Sequence, residues 1–476
     1  MRAVRAIAWF VLAILSVPPA GFAGVKQDAS KSGDARLKPA YRFERGGWVY
    51  VHLEGSPADI GYQHGYLLAP EIEAGFKAVQ LNDVYRTKRD WNFYRATAQN
   101  ILWAHIEAEY REELQGIADG LKARGSSLDV WDVVALNAME EIPDYYVPTL
   151  NREEKQAHAP DLKAPGNCSA FVATGSWTKD HKPVIAHSNW TGIAVGSHWT
   201  VIFDIVPTHG YHLLMDGFPG IIVSDDDFAI NSAGLMVTET TIAGFSLFDP
   251  NGIPEFVRAR KAMQYSASID DFARIMREGN NGGYANTWLV ADNKNNEIAN
   301  LELGLKHVTL ERTKDGYFVG ANFPANPELI RDEASNFPEN DMGVSANARH
   351  VRWNQLMAEN KGKIDVEAAQ RFLADHYDTF DKKIEPDERT LCGHIDLSPR
   401  GSKPWQPEYG PAGAVQNKVA SGSMVDQMAF TAAMGHSCGL SFKAAQHLKE
   451  HSGFEWERDA LRDLDTHAWT TFRIAQ

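Results

Sequence analysis

Cysteine is scarce: the 476 residues hold three, Cys168, Cys392 and Cys438. So few exclude a disulfide scaffold, and in an exported chain an odd number leaves one thiol unpaired. Beyond the first two dozen residues no stretch approaches the roughly eighteen consecutive apolar residues of a membrane-spanning helix. Lys and Arg form no cluster, and the formal charge of -15 argues against nucleic acid as a partner. The usual local signatures of chemistry are missing too. There is no Gly-x-Ser-x-Gly elbow, no phosphate-binding loop, no His-Glu-x-x-His and no Cys-x-x-Cys. His181 and His187, six apart, make a poor ligand pair, and no metal or cofactor is expected.

What is present is an ordinary globular composition, 44% hydrophobic, with both charge signs well represented. Arg2 and Arg5 precede an apolar run over residues 6–17 and small residues at Gly21 and Ala23. That is the three-part form of a secretory signal, with cleavage expected after Ala23 and a secreted or periplasmic destination without stable membrane insertion. In such a compartment Cys392 and Cys438 could pair, which would leave Cys168 as the unbonded thiol.

Residues 24–167 read as a polar leader, a mainly helical segment and a linker. Ser56 and Pro57 open one helix. Leu102, Ile106, Tyr110, Leu114, Ile117 and Leu121 recur at helical spacing and predict a single amphipathic helix, after which Ser126 or Ser127 caps the next. His64, among glycines, reads as structural. Residues 151–166, charged and carrying two prolines, read as an exposed linker.

From Cys168 to residue 476 the pattern changes to short alternating strands separated by turns, which favours antiparallel pairing. Helices are expected after Pro254, after Ser268 and after Asp365. Helices, strands, helices, strands and helices in that order predict an α+β fold, sheets between helical layers, and not a parallel doubly wound sheet.

Cys168 follows a loop and starts a strand. A cysteine released there as a new N-terminus carries its own base, since an α-amine titrates near about 7.7 to 8.0 and a thiol near about 8.5. The cut would come from attack of the Cys168 sulfur on the Asn167 carbonyl, with water opening the ester-like intermediate. Fragments 24–167 and 168–476 are expected to stay associated.

Several motifs occur together and in order: Cys168-Ser169-Ala170-Phe171, Val184-Ile185-Ala186-His187-Ser188-Asn189-Trp190, Phe218-Pro219-Gly220 through Phe228, Val237-Thr238-Glu239-Thr240-Thr241, and Gly282-Gly283-Tyr284-Ala285-Asn286-Thr287-Trp288. The set resembles the phospholipase B-like family, within the N-terminal nucleophile hydrolases of four-layered αββα fold. Gly61-Tyr62-Gln63-His64-Gly65 and Gly116-Ile117-Ala118-Asp119-Gly120 resemble the related C45 peptidases and acyltransferases.

The resemblance implies Cys168 as a self-released nucleophile, His187 beside it, Asn286 as an oxyanion donor, and Trp190 and Thr240 as pocket residues. Asp227 is a further substrate-binding candidate, although Asp225 to Asp227 also read as a solvated loop. Arg349 matches a family arginine, with Arg352 a near competitor. Thr287 stands where the family more often has glutamine, which removes one amide donor. The implied activity is hydrolysis or transfer of a small-molecule acyl amide, ester or lipid. The competing reading is an exported binding protein that keeps the fold without catalysis.

Overall fold

Alternation along the strand Ser169–Thr174 sets up the layers. Ala170 and Val172 face one core, shared with Ile185 and Phe430 and with Trp48, Ile202, Met236 and Leu289. Phe171 and Ala173 face another, shared with Trp353, Phe372 and Leu373. A strand apolar on both faces must lie between two layers. In this computed structural model residues 27–28, 33–154 and 168–474 are described, apart from 226–227, 246, 335–336 and 403–404.

The smaller sheet is antiparallel throughout, in the order Gly316–Gly320, Ser169–Thr174, Val184–Gly192, Ala412–Ser421, Ala429–Met434 and Thr470–Arg473. Among the described residues the larger has ten strands. It runs Gln27–Asp28, Tyr41–Arg45, Trp48–Gly55, Val201–Pro207, Leu213–Gly217, Ala229–Asn231, Leu235–Thr241, Asn286–Asp292, Glu297–Leu303 and Val308–Thr313. Its one parallel pairing joins Trp48–Gly55 to Val201–Pro207.

The outer face of the larger sheet, with Val51, Phe203, Val237 and Val290, packs against Pro57–Leu67, Ala108–Ala123, Val130–Asn137, Glu255–Tyr265 and Ile269–Arg277. The outer face of the smaller sheet is covered by Ser345–Glu359 and Val366–Leu373. The order of layers is helix, sheet, sheet, helix, the α+β sandwich anticipated above, with the N-terminal helices in the first layer. No helix among the described residues is long and apolar enough to cross a membrane.

Two helical expectations need correction. The periodic stretch from Leu102 to Leu121 is not one helix, because Glu107 is extended at φ -66° and ψ 153° and the regular helix starts at Ala108. The spacing misled because Leu102, Ile106 and Tyr110 face the same core from both sides of the break. The following helix is capped by Asp129, not by a serine; Asp129 and Asp132 form a reciprocal capping box.

The paired glycines explain themselves as packing. A Cβ on Gly61 or Gly65 would strike the carbonyl oxygens of Glu113 and Ile117, and one on Gly116 or Gly120 those of Ala58 and Tyr62. Two helices meet backbone to backbone there, and His64 between them accepts from the Gly220 N–H at 2.9 Å. Burial lowers its pKa to about 3, so it stays neutral. The expected signal at 1–23 and the expected linker beyond residue 154, including Asn167, lie outside the described residues.

Candidate active site

The first described residue after the linker is Cys168, 1% exposed and in the left-handed region at φ 72°. For a side chain with a Cβ that conformation costs roughly 1–3 kcal/mol and persists only where the surroundings impose it. They do so from the next residue onward. Ser169 Oγ accepts from the Trp353 indole at 2.8 Å, and Arg349 donates from Nη1 to the Cys168 carbonyl at 2.6 Å.

Arg349 is wholly buried. Its Nε donates to Ser345 Oγ at 2.9 Å, its Nη2 to Asn322 Oδ1 at 2.8 Å, and its guanidinium lies 4.3 Å over the Trp190 ring. Burial lowers its pKa to about 9, against the pull of the neighbouring Cys168, which leaves it a cation at neutral pH. Arg352 turns away into a two-pronged pair with Asp375 at 2.7 and 2.9 Å. Of the two candidate arginines, Arg349 is the one that touches Cys168.

The Cys168 sulfur, a His187 nitrogen and a Glu239 carboxylate oxygen lie within 4.8 Å of one another, all shut off from solvent. Cys168 Sγ is also 3.8 Å from Asn189 Oδ1. His187 and Asn189 sit at alternate positions of Val184–Gly192, so both face the larger sheet. Glu239 comes from that sheet. The short strand Ala229–Asn231 pairs with its neighbour only at Val237 and Met236, which leaves Glu239 a strand partner on one side, Trp288. Its carboxylate accepts from Tyr284 Oη at 3.2 Å.

Asn286, fully buried, presents an amide whose oxygen and nitrogen make no hydrogen bond. Its backbone pairs with Thr241, whose carbonyl accepts from Asn322 Nδ2 at 2.9 Å, so its strand is linked to Cys168 through Asn322 and Arg349. Thr240 Oγ1 and Asn189 Nδ2 are also buried without partners. A Cβ on Gly320, which pairs with Ala170, would stand 2.6 Å from Thr240 Oγ1. Buried polar atoms are rarely left unsatisfied, so each of these is a candidate partner for a reacting group. Asp227 lies outside the described residues.

Glu239, Asn189, Tyr284 and Asn322 were not singled out from the sequence, though Asn189, Glu239 and Tyr284 lie inside recognised motifs. Another missed group backs the site. Lys418 pairs in register with His187 and meets Asp216 of the other sheet at 3.1 Å, both fully buried, and Gln416 Nε2 donates to Asp216 at 2.7 Å. Beyond Trp190, Thr191 and Gly192 border a polar pocket with Asp83, Arg86, Glu140 and Asp144. Burial there raises Asp83 to about 7 and Glu140 to about 8.

Cys392 and Cys438 are both free thiols, so the pairing that the sequence left open is not formed in this structure. Cys438 Sγ instead lies 3.4 Å from His394 Nε2, and Cys392 Sγ lies 3.8 Å from Ser437 Oγ.

A four-layered sandwich with a buried thiol, imidazole and carboxylate gathered between its sheets defines the class of protein. A sequence model of the family described as Phospholipase B matches residues 76–471, and the chain belongs to that family. It is similar to an uncharacterized protein of Archaeoglobus fulgidus, 23% identical over 69% of this chain and 58% of that protein. It is also similar to phospholipase B-like 1 of Homo sapiens, 22% identical over 76% of this chain and 71% of that protein. Bos taurus phospholipase B-like 1 gives 24%, over 76% and 72%. The chain thus spans 58% of the length of the archaeal relative and somewhat more of the mammalian ones. Solved structures of conjugated bile acid hydrolase variants from Clostridium perfringens align at 10% identity, over 56% of this chain and 88% to 89% of theirs. Their TM-scores of 0.32 and 0.33 are too low to bear on fold or activity.

Proposed function

We propose that the protein is an exported, self-processing hydrolase that cleaves an acyl amide or ester through a covalent intermediate on Cys168. The observation that carries this reading is the placement of Cys168. It sits in a left-handed backbone conformation at the end of the linker, with its sulfur grouped with His187 and Glu239.

In maturation the sulfur attacks the Asn167 carbonyl carbon and the Cys168 nitrogen leaves as an amine. Water then opens the thioester, leaving a carboxylate on Asn167 and a free α-amine on Cys168. Residues 24–167 stay docked, supplying strands to the larger sheet and part of the helical layer over it.

In turnover that α-amine takes the thiol proton as sulfur attacks the substrate carbonyl, and returns it to the departing amine or alcohol. His187 tunes the thiol, Glu239 orients His187, and the Asn286 amide donates to the tetrahedral oxyanion. Trp190, Thr240 and Asp227 contact substrate. Water releases the acid, or a second nucleophile takes the acyl group. The name of the mammalian relatives, phospholipase B-like 1, favours a lipid deacylase, and the thiol mechanism serves an amidase or acyltransferase equally.

Intact mass and N-terminal sequencing of the purified protein test the reading: two fragments, the second beginning at Cys168, are expected. An active protein made only of uncut chain would overturn it. An uncut, inactive chain that binds ligand equally well as Cys168→Ala would make it a binding protein.

A further inference from the structure

Away from that site, on the far side of Trp190, His376, Cys392, His394 and Cys438 bring one ligand atom each to within 4.8 Å of one another. They come from three stretches: the loop after Val366–Leu373, the loop before Ala412–Ser421, and the turn after Ala429–Met434. We propose that these four side chains form a structural zinc site, with two thiolate and two imidazole ligands.

The geometry suits that ion. Tetrahedral zinc lies about 2.3 Å from sulfur and about 2.0–2.1 Å from nitrogen, which sets its ligand atoms roughly 3.3–3.8 Å apart. The Cys438 Sγ to His394 Nε2 distance is 3.4 Å. The other nitrogen of His394 points to Asp396, Nδ1 to Oδ1 3.8 Å, as a zinc-bound histidine is ordinarily held by a carboxylate behind it. Nε2 of His376 is buried and makes no hydrogen bond of normal geometry. His436 stacks on His394 with ring centroids 3.9 Å apart and fixes its plane.

Two sulfurs and two nitrogens complete a tetrahedron, so no position is left for water and the role is structural. The two thiols give up their protons on binding. The ion would tie the loop through Cys392 to the end of the strand Ala429–Met434. That loop backs the nucleophile, because a Cβ on Gly393 would strike the Trp190 ring, which stacks on Arg349.

The test is metal analysis of the full chain, purified without a metal-affinity tag and incubated with zinc chloride under mild reductant. One zinc per chain is expected, replaceable by cobalt(II) with the visible bands of tetrahedral coordination and a near-ultraviolet sulfur-to-cobalt charge-transfer band. Cys392→Ser with Cys438→Ser should lose both metal and charge-transfer band. Asp396→Asn should keep the site but weaken zinc binding roughly 10- to 100-fold. If the double variant does not fold, the cobalt spectrum of the natural chain decides alone. A folded natural chain that holds less than a tenth of an equivalent of zinc would overturn the proposal. So would peptide mapping that finds Cys392 and Cys438 joined as a disulfide in protein purified without reductant.

Discussion

Two regions of this molecule gather sulfur and imidazole within 4.8 Å, and they are built differently. Around Cys168 there is one sulfur, one imidazole and one carboxylate, and the candidate oxyanion donor Asn286 is buried with an amide that makes no hydrogen bond. Around Cys392 and Cys438 there are two sulfurs and two imidazoles, with a carboxylate behind one of them. The first arrangement leaves hydrogen-bonding capacity unused, which suits a place where bonds are made and broken. The second has the four donors that saturate a tetrahedral ion. Ligand count, more than the presence of cysteine and histidine, separates a reactive site from a structural one.

The sharpest way to break that comparison is Cys168→Ala. It should abolish both chain cleavage and turnover while leaving zinc content unchanged, read by gel, by acyl-substrate assay and by metal analysis. Loss of zinc in this variant would join the two regions into one.

Lys418→Met comes next. The buried pair with Asp216 lies across the sheet interface beside His187, and removing one partner leaves an uncompensated buried charge. A loss of about 3–5 kcal/mol is expected from denaturant unfolding. Asn286→Ala should then lower kcat roughly 10²- to 10³-fold, equivalent to about 2.7–4 kcal/mol of barrier, with processing and KM little changed. An equal loss in KM alone would make Asn286 a binding group.

The smallest effect is on pH dependence, at the polar pocket bordered by Thr191 and Gly192. Burial raises Asp83 to about 7 and Glu140 to about 8, so the folded chain binds more protons than the unfolded one above the ordinary carboxylate range. Their contribution is present in full below about pH 4 and is lost as pH rises through 7 to 8. Tm measured from pH 5 to 9 should fall across that window, and Asp83→Asn with Glu140→Gln should flatten the fall.

Much of the fold was legible because its signals are local. Strands such as Ser169–Thr174 and Glu297–Leu303 are bounded by turn residues, and Ser56, Ser268 and Asp365 cap helices where their side chains reach backbone N–H groups nearby. The strands Ala412–Ser421 and Ala429–Met434 were missed, although they occupy the middle of the smaller sheet. Buried on both faces and interrupted by Gln416, Asn417 and Lys418, they lack simple alternation. Gln416 and Lys418 make sense only against Asp216 from a distant strand, and Asn417 against the Gly435 carbonyl.

By itself the sequence determined the layer order and Cys168 as the thiol immediately before the strand Ser169–Thr174. Each follows from neighbours a few residues away, through periodicity, turn chemistry or residue type. Tertiary structure alone decided that Arg349 and not Arg352 meets Cys168, that Glu239 joins it from the other sheet, and that Cys392 and Cys438 stand with His376 and His394. Those four ligands are 16, 2 and 44 residues apart in sequence. Spacing of that kind has no local period, so only the packing of two sheets and their loops could bring them to one point.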